Sequence, residues 1–260
     1  MAYTLQRITI FPIKSLPGVA LERAQITPAG SLRHDREYAL FDADGQVVNG
    51  KRERRVHGLD AEFAPDIATV RITDRALGES ARFPLPEGRA ALSEWLSDYF
   101  RYRVRVLRAP QGGFPDDREA NGPTLVGTAT LETVTTWFPE LDLAEIRRRF
   151  RTNLEIAAAP PFWEDGLLGE PGVTPTFHIG AVHFEAIRPC QRCVVPTRSS
   201  STGQPDAQFQ EILSQKRCQE LPPWTPAAYF DHYYRLCLNT RILTGGQAEW
   251  LKTGDVLTRD

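Results

Sequence analysis

The stretch PCQRCVVPT, residues 189–197, places Cys190 and Cys193 close together with Arg188 and Arg192 beside them. Thiols at this spacing suit several chemistries. A structural zinc ion takes about four ligands, usually as two close pairs. The other candidates here, Cys218, His232 and Cys237, form no second pair. A redox disulfide of the thioredoxin kind sits where a strand feeds a helix, whose N-terminus lowers the thiol pKa. Here Val194, Val195 and Pro196 follow Cys193 and lead into a Ser-rich loop, which is no helix start. A single thiolate could instead hold a soft metal that brings most of its own ligands, and the flanking arginines favour a thiolate. Two cysteines packed as small apolar residues would need no chemistry at all.

The segments that must position these thiols read mainly as short strands. TLQRITIFPI alternates apolar and polar residues, VALERAQIT does so less cleanly, and YALFDADGQVV predicts a hairpin about Asp44-Gly45. ATVRIT, ARFPLP and YRVRVLRAP add strands, and so, later, do RTNLEIA, TFHIGAVHFEAI, CVVPT, YYRLCLNTRILT and WLKTGDVLT, with turns at Gly245-Gly246 and Gly254-Asp255. Helical spacing shows in RAALSEWLSDYF, where Ala91, Leu92, Trp95, Leu96, Tyr99 and Phe100 form one stripe, and in TATLETVTTWFP and DLAEIRRRF. In the last of these Leu143, Ile146 and Phe150 point inward and Arg147 to Arg149 form a solvated face. The segment QGGFPDDREANGP is the best boundary, which divides the chain into 1–112 and 113–260. With no strand-helix alternation and no Gly-rich phosphate fingerprint, the expected fold is mainly β with a few helices (α+β), barrel-like in both parts.

Composition narrows the partners. The 31 basic and 33 acidic residues nearly cancel, so no global field draws the chain to nucleic acid or to an anionic membrane, and any phosphate site must be local. No apolar run approaches the roughly 20 residues that span a bilayer. MAYTLQRITIFPIK lacks the pattern of a secretory leader, so the expected compartment is the cytoplasm. Four cysteines in 260 residues are too sparse for a disulfide scaffold. No general acid stands out; His178, His183 and His232 are candidates only because histidine titrates near neutrality.

Several of these stretches, in order along the chain, resemble the MOSC family, named after the C-terminal domain of molybdenum cofactor sulfurase. PCQRCVVPT is similar to its cysteine signature, Pro-Cys-x-Arg-Cys followed by a β run and Thr. IFPIKS resembles the Tyr-Pro-Val-Lys-Ser opening of the N-terminal β-barrel domain that accompanies MOSC in amidoxime-reducing proteins, and HDREYALFDADGQVVNGKRERR follows at similar spacing. RFRTNLEI resembles the Arg-Pro-Asn segment, FWEDGL the Glu-Asp element and WLKTGDVL the last strand with its Gly-Asp turn.

The resemblance implies a MOSC N-terminal β-barrel domain followed by a MOSC-type β-barrel domain, with Cys193 as catalytic residue and molybdenum ligand. The molybdenum cofactor, Mo-molybdopterin, carries a phosphate or nucleotide diphosphate that needs Arg forks and Lys charges. Lys14, Ser15, Arg36, Lys51, Arg151, Asn153 and Asp165 are the implied cofactor-binding residues. The implied activity is reduction of small N-hydroxylated substrates, amidoximes and hydroxylamines, by oxygen-atom removal. Electrons would come from a separate flavin reductase, ferredoxin or cytochrome b5-like partner, because this sequence shows no cofactor fingerprint of its own. The alternative is a non-catalytic cofactor or sulfur carrier. The chain departs from the family pattern at three places: Arg-Thr-Asn replaces Arg-Pro-Asn, TRSSSTG lacks the acid of the loop after the cysteine, and NGP at Asn121–Pro123 lacks the hydroxyl of Thr-Ser-Pro.

Overall fold

A computed structural model describes residues 2–157, 159–243 and 249–260; the Gly245-Gly246 turn lies outside them. The strands, in chain order, are β1 (Thr4–Ile10), β2 (Val19–Leu21), β3 (Arg23–Gln25), β4 (Tyr38–Phe41), β5 (Val47–Val48), β6 (Leu59–Phe63), β7 (Thr69–Asp74), β8 (Ser80–Pro84), β9 (Arg105–Arg108), β10 (Leu125–Gly127), β11 (Leu154–Ala157), β12 (Thr176–Ile179), β13 (Val182–Gln191), β14 (Arg235–Ile242), β15 (Trp250–Lys252) and β16 (Leu257–Arg259). Four helices accompany them: α1 (Arg89–Phe100), α2 (Thr128–Trp137), α3 (Leu143–Phe150) and α4 (Phe209–Gln219). The fold is mainly β with a few helices, as the alternation implied.

Local signals account for much of this. The Asp44-Gly45 turn joins β4 to β5 with Leu40 opposite Val48, and Gly45 takes the positive φ of 73° that the turn needs. Along α1, Leu92, Leu96 and Phe100 fall at successive i+4 positions and are all buried, while Glu94 and Asp98 are exposed and the Ser93 and Ser97 hydroxyls accept from the Val106 and Val104 N–H groups. Asp142 caps α3 by accepting from the Glu145 N–H at 2.6 Å.

The barrel expectation needs correction. The longest sheet runs β16-β12-β13-β14-β10-β11-β1-β2, and its end strands β16 and β2 are not paired with each other. It curls without closing: the start of β1 meets the segment before β16 through one bridge, Thr4 to Val256, and through the Leu257 N–H bonded to the Tyr3 carbonyl at 2.8 Å. Smaller sheets β5-β4-β9, β6-β7-β8 and β15-β3 complete the architecture.

One apolar core, with Ile13, Leu40, Leu92 and Val106, is built within the first 106 residues. A second joins Leu5, Ile8 and Ile10 of β1 to Leu125, Leu154 and Phe184. The pairing of β1 with β11, Ile8 opposite Leu154, therefore stitches the start of the chain into the later sheet.

Two further expectations fail. CVVPT is no strand; β13 stops at Gln191, and Val195–Thr197 form a 3₁₀ turn in which the Thr197 hydroxyl donates to the Val194 carbonyl at 2.8 Å. The Arg147–Arg149 run is not a wholly solvated face either. Arg148 is exposed, but Arg149 is buried, paired with Glu145 at 2.9 Å and stacked on Phe209.

Candidate functional site

Where the loop after β1, the end of β13, the end of α3 and the segment 112–124 converge, they enclose a cavity of about 510 Å³. That volume suits a small organic ligand. Its wall, among the described residues, carries eleven Lys or Arg side chains against three Asp. In a chain whose formal charge is −2, this is a strongly cationic hollow.

Six of the residues implied as cofactor-binding line this cavity: Lys14, Ser15, Arg36, Lys51, Arg151 and Asn153. Lys14 is buried, and its Nζ donates to the Phe114 carbonyl at 2.8 Å and pairs with Asp116 at 2.9 Å. Burial lowers its pKa from the ordinary lysine value despite the Asp116 partner. Asn153 is a tie rather than a free donor: its Nδ2 donates to the Thr9 carbonyl at 2.9 Å, and its Oδ1 accepts from the Thr124 N–H and hydroxyl at 3.2 Å. Lys51 is exposed, at the rim.

Ser15, Arg36 and Arg151 have φ values of 72°, 51° and 53°, in the left-handed region that non-glycine residues rarely occupy. Such strain is tolerated where the surroundings over-determine it, and it gathers at ligand sites. Arg151 gains this conformation as the C-cap of α3, which turns its guanidinium onto the Phe11 ring at 4.1 Å. Burial, and then repulsion from Arg36, push Arg151 down to about 9. Arg36 fares differently: burial opposes its charge, but Asp35 and Asp116 outweigh burial and hold it above its usual value.

The thiols stand at the end of β13. Its register shifts between Pro189 and Gln191, a bulge that Pro189, with no N–H to give the ladder, accommodates. Cys190 lines the cavity, and Arg192 Nη1 lies 3.1 Å from its Sγ. Cys193 does not line it; the cavity residues Arg192 and Val195 bracket Cys193 in the chain. The Cys193 thiol is half-buried, and its Sγ accepts only a long bond from the Val195 N–H at 3.5 Å. Both cysteines are free, so they form no disulfide. The scattered zinc set is not gathered: among the described residues no metal-type cluster includes a cysteine.

The structure does not bring Asp165 to the cavity. Its Oδ2 accepts from Arg217 Nη2 at 2.5 Å and from the Thr225 hydroxyl at 3.0 Å, a buried network behind the site. Neighbouring Glu164 is buried, with Oε2 2.9 Å from the Thr130 hydroxyl. Burial, followed by the Asp165 charge, raises the Glu164 carboxyl to about 8. The folded state then keeps a proton that the unfolded chain sheds above its ordinary value of 4.5, so stability falls as pH climbs from there towards 8. Glu164→Gln, uncharged throughout, removes that slope. The variant should gain roughly 1–3 kcal/mol over the parent near pH 8 and little near pH 5; chemical denaturation at the two pH values reads the difference, and a gap independent of pH would overturn the assignment.

Sequence reasoning passed over several wall residues. His57 is buried in the wall, and burial lowers its pKa. No spacing signal marks it. Arg149 was masked by its i, i+4 pair with Glu145, which reads as surface decoration. The acidic segment DD at 116–117 straps the cavity through Lys14–Asp116 and Arg188–Asp117. His178, His183 and His232 lie outside the wall.

A mainly β fold around a cationic cavity with a thiol pair at its margin is the class that this geometry defines. Residues 2–95 match the family model of the MOSC N-terminal beta barrel domain, the part of the chain in which the opening motifs had suggested it. Molybdenum cofactor sulfurase of Caenorhabditis briggsae is 26% identical over 226 residues, 78% of this chain and 30% of that protein. The molybdenum cofactor sulfurase of Drosophila grimshawi is 28% identical over 232 residues, 77% of this chain and 29% of its own. This chain thus spans under a third of those relatives. Among solved structures, the YUAD protein from Bacillus subtilis aligns over 99% of this chain and 94% of that one, at a TM-score of 0.37 and 9% identity, too slight a likeness to argue from. No described helix is long and apolar enough to cross a membrane.

Proposed function

We propose that the cavity binds the molybdenum cofactor and that the loaded protein reduces N-hydroxylated compounds, with electrons from a separate redox protein. The observation that carries this is the charge of the wall, eleven Lys or Arg side chains against three Asp, with Arg151 and Arg36 repelling each other there. Like charges crowded at one wall are costly, and an anionic ligand with many oxygens would offset them.

When bound, the cofactor supplies the two-electron chemistry that turns an amidoxime, with two protons, into an amidine and water. The chain holds and orients. Arg36, Arg151 and Lys14 would take the phosphate end, and Cys193, following the family signature, the metal.

A second reading is a carrier of cofactor or sulfur without turnover of its own. Metal analysis of protein made in a host that synthesises the cofactor, followed by benzamidoxime with reduced methyl viologen, separates the two. The reductase reading expects about one molybdenum per chain and benzamidine as product. Molybdenum without benzamidine would leave the carrier, and a chain that takes up no molybdenum would sink the reductase and the cofactor carrier alike.

A further inference from the structure

We infer that His178, His183 and Asp260 form a divalent-cation site of the zinc class on the outer strands of the long sheet, apart from the cavity. None of the three residues lines that cavity.

The site follows from register. Strands β12 and β13 form a hairpin in which His178 faces His183 directly, with Phe177 opposite Phe184 and Ile179 opposite Val182. The four apolar neighbours are buried, so alternation sends both imidazoles to the other, half-exposed face. Their rings stack at 4.2 Å between centroids, with planes 4° apart. Strand β16 pairs with β12, His178 opposite Thr258, and so delivers Asp260 to the same face. Its Oδ1 lies 2.9 Å from His178 Nδ1 and its Oδ2 lies 3.1 Å from His183 Nε2. The Thr176 hydroxyl donates to Oδ2, which fixes the carboxylate's orientation.

Two imidazole nitrogens and one carboxylate oxygen, all within 4.8 Å of one another, are a zinc donor set. Bonds of about 2.0–2.2 Å in a tetrahedron place ligand atoms roughly 3.3–3.5 Å apart, so small side-chain rotations close the set. Exposures of 36% to 40% leave a fourth position open to water or to an outside donor.

Calorimetric titration of untagged protein with zinc chloride tests this, in a Cys190→Ser/Cys193→Ser/Cys218→Ser background that removes competing thiols. About one zinc per chain is expected, with affinity at least tenfold weaker in His178→Gln/His183→Gln and in Asp260→Asn. Zinc should also raise the melting temperature of the background protein but not that of the variants. No uptake, or uptake unchanged by all of these substitutions, would overturn the site.

Discussion

Cys193→Ser is expected to abolish amidoxime reduction and to strip molybdenum, whereas Cys190→Ser should keep substantial activity. The two thiols differ in what already engages them. Cys190 Sγ has the Arg192 guanidinium at 3.1 Å, while Cys193 Sγ accepts only the 3.5 Å bond from the Val195 N–H and keeps its lone pairs free for a metal. Serine offers a hard oxygen where a soft centre needs sulfur. Molybdenum content and turnover of both variants decide the matter. Because Cys190 is the one that lines the cavity, the reverse pattern would move the ligand there, and equal loss in both would favour a shared zinc or a disulfide.

The second large effect concerns Arg151. Its charge is held at the cavity wall against burial and against Arg36, a disfavoured arrangement that a bound anion would relieve. Arg151→Met keeps an apolar contact with Phe11 and removes the charge. Loss of one partner from a buried charge pair costs about 2–5 kcal/mol, so cofactor retention through dialysis should fall at least tenfold. The cofactor-free protein should melt no lower than its parent, since the substitution also ends the repulsion with Arg36. A large loss of stability without loss of molybdenum would refute this account.

These outcomes rest on a site that the sequence revealed unevenly. The hairpin at Asp44-Gly45, the stripe of α1 and the alternation in β1 are short-range patterns, and the structure realises them, except that Ala91 of the stripe is exposed. Helix α4 escaped notice because its buried positions Phe209, Leu213 and Arg217 include an arginine, which hydrophobic periodicity counts as surface. Only tertiary partners, Asp165 and the rings of Phe162 and Phe230, make that burial tolerable. Strands β6 and β10 were passed over, the latter only three residues long. CVVPT has strand composition but turn geometry, since Pro196 and the Thr197 hydroxyl bond favour the 3₁₀ form. Resemblance, rather than periodicity, pointed to Lys14, Arg36 and Arg151, which lie far apart in the chain and meet in one wall. The same resemblance pointed to Asp165, whose oxygen is consumed by Arg217 and Thr225.

The union of β1 with β11 has a consequence for biosynthesis. Strand β1 leaves the ribosome well before its neighbour Leu154, to which Ile8 must pair across a long stretch of sequence. Until then an apolar ribbon with unmet amides waits in the open, and pairings so distant in sequence form slowly. Nascent chains halted before β11 should therefore be the species that chaperones hold and proteases cut.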